Sequence, residues 1–154
     1  MHAVTIVDGH LEWREHPDPE PGAGEVLVRV RAAGLNGADR LQVAGHYPPP
    51  PGVVADIPGM ELAGEVEIVG HGVRNWQVGD RVMAIVAGGA QAELAVVHER
   101  HLLEVPDGLD WAPPATIAMT RSPTCQRRTR SPTTSTSPAS SIPGMSATTP
   151  AGAG

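Results

Sequence analysis

Apolar and polar positions alternate along four stretches of this chain, and glycine, proline or aspartate punctuates the gaps between them. In GEVLVRVRAAG, Val26, Val28 and Val30 share one face, while Leu27, Arg29 and Arg31 share the other. In ELAGEVEIVG, Val66 and Ile68 stand opposite Glu65 and Glu67. DRVMAIVAGG puts Val82, Ala84 and Val86 on one face, entered from a turn at Val78, Gly79 and Asp80, and AELAVVH continues the pattern. Short alternating runs with frequent turn signals and no long amphipathic period predict a small, mainly-β barrel or sandwich. One short helix is expected across ADRLQVA, started by Asn36 and stopped by Gly45.

The alternation stops near Thr120. Beyond it, RSPTCQRRTRSPTTSTSPASSIPGMSATTPAGAG contains no Asp, no Glu and no aromatic residue. Such a segment cannot bury enough apolar surface to offset the entropy of ordering, so residues 120–154 are expected to form a disordered tail. Either it is a natural linker with RSP and TSP elements, or it is out-of-frame translation of a GC-rich gene. The break falls inside WAPPATIAMT, which reads as the start of a helix, and that favours the second. The folded unit is therefore placed at residues 1–119.

Composition narrows the function classes. With no Phe, one Tyr and three Trp, the core must rest on Val, Leu, Ile and Ala. A net charge of −6 opposes non-specific nucleic-acid binding, which needs a basic surface. No apolar window approaches the roughly 18 residues of a membrane span, and MHAVTIVDGHLEWRE carries charge too early for a secretory signal. The lone Cys125 excludes an internal disulfide and a thiolate zinc cluster. A soluble cytoplasmic protein is expected.

Three stretches, in this order and spacing, carry a family resemblance: PGAGEVLVRVRAAGLNGADRLQVAGHYPPPPG, IPGMELAGEVEIVGHGVRNWQVGDRVMAIVAGGAQAELAVV and LLEVPDGLDWAPPATIAMT. They resemble the N-terminal, GroES-like domain of the medium-chain dehydrogenase/reductase family. AAGLNGADRLQVAGHYPPPPG is most similar to its zinc-independent quinone-oxidoreductase branch. The resemblance implies a GroES-like, partly open β-barrel with short helices, forming one wall of a cleft completed by a Rossmann domain. It further implies hydride transfer from NADP(H) to a quinone, activated alkene or carbonyl, and it admits a homo-oligomer of the intact enzyme.

Zinc-dependent members need Cys, His and carboxylate ligands around one open position. The corresponding places here hold Asn36, an amide, and Met60, a thioether, and Glu61 alone cannot hold zinc, so no metal is expected. His98 and His101 lie near a strand end, where a spacing of three points side chains to different faces, and they read as solvated loop histidines.

The site candidates are Asn36, Tyr47 and Glu61. The Asn36 amide can hydrogen-bond a substrate carbonyl or the nicotinamide ribose, which makes it both a catalytic and a cofactor-binding candidate. It is equally a good helix N-cap, with Asp39 at the capping-box position, and the two roles are compatible. Tyr47, the only tyrosine, precedes Pro48 to Pro51, a run that stiffens the loop; the resemblance places it near the substrate, and a packing role on a rigid loop stands beside that. Glu61 lies close to the cleft in relatives and needs partners if buried. Asp39 reads as a capping and salt-bridging residue. Gln91 replaces an aromatic residue that many relatives carry, a departure that touches the substrate wall.

PGAGEV and VAGGAQ precede strands and do not complete GxGxxG, so they are turns rather than phosphate cradles. The sequence contains no dinucleotide-binding fingerprint. Two readings follow. The chain is a truncated oxidoreductase domain, inactive alone and exposing an apolar patch around Leu103, Val105, Trp111 and Ile117. Alternatively it is a solitary GroES-like domain that binds a small hydrophobic ligand or a partner subunit.

Overall fold

A computed structural model describes residues 1–117; the expected disordered tail lies outside the described residues. The chain opens with strands β1 (His2–Val7) and β2 (His10–Glu15), then β3 (Glu25–Ala33) and helix α1 (Gly37–Val43). Strands β4 (Glu61–Val69), β5 (Arg81–Ile85) and β6 (Leu94–His98) follow. A single 3-10 turn (Glu99–His101), strand β7 (Leu102–Glu104) and helix α2 (Ala112–Ile117) complete it. No helix among the described residues is long and apolar enough to cross a membrane.

Five strands form one antiparallel sheet in the order β6-β3-β4-β5-β7. All four strands expected from alternation are in it. Its principal core face gathers Val26, Val28, Leu62, Val66, Val82, Ala84 and Val97, with Val30, Val69 and Val86 packed against them. The opposite face carries Ala63, Met83 and Val105, against which Leu103 and Trp111 pack, and α2 lies over this side. Of the apolar patch expected around Leu103, Val105 and Trp111, Val105 is buried and Leu103 and Trp111 are partly buried. Val105 is 2% exposed, and the Arg81 guanidinium stands 4.2 Å above the Trp111 ring. The Ile117 side chain lies outside the described residues.

One face assignment fails for a clear reason. Val66 is 1% exposed but Ile68 is 48% exposed. The β3–β4 register runs Leu27 to Ile68 and then Val28 to Val66, which leaves Glu67 as an extra, bulged residue. A bulge switches the parity of every residue beyond it, so strict alternation misplaces Ile68. A second shift between Val30 and Ala32 leaves Arg31 unpaired on the β3 side. The displaced charges find each other across the strands: Arg29 with Glu67 at 2.6 Å and Arg31 with Glu65 at 2.8 Å.

Strands β1 and β2 form a separate ribbon closed by Asp8 and Gly9, whose φ values of 49° and 77° suit the tight hairpin turn. Backbone hydrogen bonds from β1 tie the ribbon to the body. Val4 donates to the Gln91 carbonyl at 2.8 Å, Ile6 to that of Asp56 at 2.7 Å, and Ala3 bridges Ala92. Every residue of β2 is exposed.

Candidate functional site

The helix α1 begins where expected, with Asn36 in extended conformation at its N-cap. Asp39, one turn in, is 6% exposed and gathers three donors. Its Oδ2 accepts the Asn36 backbone N–H at 2.7 Å and the Gln91 side-chain amide at 3.4 Å, and its Oδ1 accepts the Gly59 N–H at 3.1 Å. The carboxylate thus closes a capping box and pins two loops to the helix. No cation pairs with it among the described residues, so its expected salt-bridging role is replaced by amide donors. The loops can approach so closely because residue 59 is glycine. It holds φ +107°, and a Cβ there would fall 2.6 Å from the Gln91 nitrogen.

The Asn36 side-chain amide also reaches the first residue of β4. Its Nδ2 donates to Glu61 Oε1 at 2.6 Å. Glu61 is 3% exposed, and its second oxygen, Oε2, is buried without a hydrogen-bond partner among the described residues. Buried carboxylate oxygens are normally satisfied, since leaving one unpaired costs about 1–3 kcal/mol or more. The site therefore holds an acceptor without a donor. Around it the surface is apolar: Leu35, just before Asn36, is 86% exposed, and Ile85, opposite Glu61 in the β4–β5 ladder, is 42% exposed.

Two of the three sequence candidates, Asn36 and Glu61, thus meet in one hydrogen bond, with Asp39 and Gln91 behind them. Tyr47 does not join that network; it is half-buried and its hydroxyl makes no hydrogen bond among the described residues. Gln91 had only its departure from an aromatic residue to mark it. Its side chain reaches Asp39, and its backbone donates to the Pro58 carbonyl at 3.0 Å, a link that no local pattern encodes.

His98 and His101 do not diverge as a strand spacing would have them. The 3-10 turn brings their rings to 6.2 Å between centroids, and Arg100 donates to both, at 3.3 Å to His98 Nδ1 and 3.0 Å to His101 Nε2. Burial first, then the charges of Arg100 and His98, hold the His101 imidazole below its ordinary pKa. Among the described residues no group of three or more His, Cys, Asp or Glu gathers to hold a metal ion.

An antiparallel, partly open barrel with short helices has the architecture of the N-terminal domain of the dehydrogenase/reductase class. Residues 22–107 match the alcohol dehydrogenase GroES-like domain, and the chain belongs to that family. Within it the likeness is to quinone oxidoreductases. The chain is 45% identical over 111 residues to a quinone oxidoreductase of Pseudomonas aeruginosa, covering 71% of this chain and 33% of that protein. It is 43% identical over 89 residues to an acryloyl-coenzyme A reductase of Metallosphaera sedula, covering 56% of this chain and 26% of that one. Mycobacterial Rv1454c, solved in complex with NADPH, superposes with a TM-score of 0.64 at 32% identity, covering 79% of this chain and 37% of that structure. The chain spans about a third or less of the length of these two curated relatives.

Proposed function

We propose that this chain forms the substrate-side wall of a zinc-independent, NADPH-dependent oxidoreductase that reduces a quinone, an activated alkene or a carbonyl. The observation that carries this reading is the Asn36–Glu61 pair, with Glu61 Oε2 buried and lacking a donor beside exposed Leu35 and Ile85. An orphaned acceptor next to an amide, rimmed by apolar side chains, suits a flat apolar ligand with a few polar edges. The quinone and acryloyl relatives supply the substrate classes, and the NADPH-bound neighbour supplies the cofactor. Asn36 and Met60, an amide and a thioether, support the metal-free chemistry.

The residues fit part of a nicotinamide nucleotide. Glu61 Oε2 can accept from a ribose hydroxyl or the carboxamide, and the second amide hydrogen of Asn36 can donate to a ligand oxygen. Nothing in the sequence matches the glycine-rich turn that would hold the phosphates, which assigns them to a second domain of the intact enzyme. NADPH, when bound, supplies the hydride. Glu61 Oε1 holds the Asn36 amide in place, Asn36 orients the acceptor's carbonyl oxygen, and the Tyr47 hydroxyl offers that oxygen a proton. We assign residues 1–119 to the GroES-like domain and 120–154 to a tail outside it, within a cytoplasmic protein that does not turn over alone.

Titrating the full chain with 1,4-benzoquinone, read by backbone NMR, tests the site. Shifts should centre on Asn36, Tyr47 and Glu61 and weaken at least about tenfold in Asn36→Ala, the loss of one or two polar contacts. Shifts centred elsewhere, or unchanged in the variant, would overturn the assignment.

The buried Met83–Val105 face favours a second reading, a self-contained GroES-like module binding a small hydrophobic ligand or a partner subunit. The gene decides between the two. Translation past codon 120 in all three frames should yield a strand, a glycine-rich turn and a helix if the chain is the front of a reductase. If no frame encodes such a unit, the module reading stands.

A further inference from the structure

The β1–β2 ribbon carries a feature that plays no part in the proposed reaction. Its outer strand is exposed along its whole length, with Trp13 60% and Leu11 54% exposed, and the Trp13 ring stacks on His2 at 5.8 Å. Pairing with β1 fixes which backbone groups are free. The tight turn makes Val7–His10 a hydrogen-bonded pair, so Thr5–Glu12 and Ala3–Arg14 are hydrogen-bonded too. The N–H and C=O groups of Leu11, Trp13 and Glu15 therefore point away from β1, along an edge that no other strand among the described residues covers. An uncovered edge is a template for another strand.

We propose that β2 pairs antiparallel with β2 of a second copy of this chain, with Trp13 on the two-fold axis. In that register Trp13 opposes Trp13 of the second copy, and Leu11 opposes its Glu15, all as hydrogen-bonded pairs that use the free groups. Glu12 then stands directly opposite Arg14 of the second copy at the non-hydrogen-bonded positions, where side chains come closest. Glu12 and Arg14 already pair within one strand at 2.8 Å, so the two copies build a closed square of alternating charge. The charges select the register. Moving the axis by one residue toward the turn sets Glu12 against Glu12, and moving it the other way sets Arg14 against Arg14. Trp13 and Leu11 lie on the other face with Val4 and Ile6, their partners in β1, so pairing joins two apolar stripes into one. The contact is isologous, as a two-fold requires.

Sedimentation velocity on the full chain across a concentration series tests this. The unmodified chain should show a reversible dimer. Glu12→Arg and Arg14→Glu each create two like-charge pairs per dimer and should weaken it at least about tenfold. The double variant restores every pair with the signs exchanged and should return to within about threefold of the original. A chain that stays monomeric, single variants that dimerise normally, or a double variant no better than the singles would each overturn the proposal. Oxidative cross-linking gives a second readout. In a Cys125→Ser background, Trp13→Cys should link to itself across the axis and Leu11→Cys should not, because Leu11 faces Glu15 of the second copy. Equal linking of both would equally sink it.

Discussion

The five-stranded sheet and the loops at its α1 end are both buried, but they are held together by opposite means. The sheet interior is Val, Leu, Met and Ala, and the charges of Arg29, Arg31, Glu65 and Glu67 pair between the neighbouring strands β3 and β4 where they are partly exposed. The α1 end is organised by two carboxylates at 6% and 3% exposure, one accepting three donors and the other leaving an oxygen unpaired. Apolar packing tolerates substitution in proportion to volume lost, whereas a buried polar network fails donor by donor. Each region leaves one carboxylate oxygen without a donor among the described residues, Glu67 Oε2 on the sheet and Glu61 Oε2 at the α1 end, but Glu61 is itself buried, at 3% exposure, and binding chemistry is expected there.

Perturbing each region tests the contrast. The largest effect is expected in the sheet: Leu62→Ala, at a fully buried side chain, should cost about 3–4 kcal/mol in urea unfolding. Asp39→Ala should come next, at about 2–3 kcal/mol, because it strands the N–H groups of Asn36 and Gly59. It should also loosen the loop at Gly59 and Gln91 before the sheet opens, seen as faster hydrogen exchange there; uniform exchange would erase the distinction between the regions. Glu61→Gln should behave in the opposite sense. Removing a buried, half-satisfied charge should leave stability within about 1 kcal/mol or raise it, while benzoquinone binding weakens. A large destabilisation would show that Glu61 is structural.

The smallest effect concerns pH. Glu99 accepts the Arg74 N–H at 3.1 Å and contacts from Asn75, which hold its carboxyl below the ordinary carboxylate value. Its folded-state pKa is thus depressed, so its contribution is present above the unfolded value and is lost as pH falls through the folded one. Glu99→Gln should flatten the Tm profile on the acid side only, leaving Tm unchanged between the variants' profiles below that range. Flattening above neutrality would contradict the assignment.

Alternation along residues 24–34, 61–70, 80–89 and 92–98 was enough to read four strands, because a pleat repeats every two residues and a one-sided core enforces it. The N-cap at Asn36 and the stop at Gly45, which adopts φ 74°, were equally local. The same rule went wrong at Ile68, where a bulge shifted parity through a partner strand almost 40 positions away in sequence. It was silent on β1, β2 and β7. Their pairing depends on turn conformation and on neighbours rather than on hydrophobic period.

For the candidate site, residue type and family resemblance pointed to Asn36 and Glu61, but nothing local said that one would donate to the other. Asp39 looked like a cap with a cation partner, and Gln91 like a mere departure from pattern. Chain chemistry alone thus determined four of the strands, where α1 begins and which side chains are candidates for a site. Tertiary structure decided that Asp39 draws Gly59 and Gln91 together, that Arg81 stands over Trp111, and that Glu61 keeps an oxygen unpaired. Propensity and periodicity act over a few residues, while the satisfaction of a buried polar atom depends on whichever distant segment folds beside it.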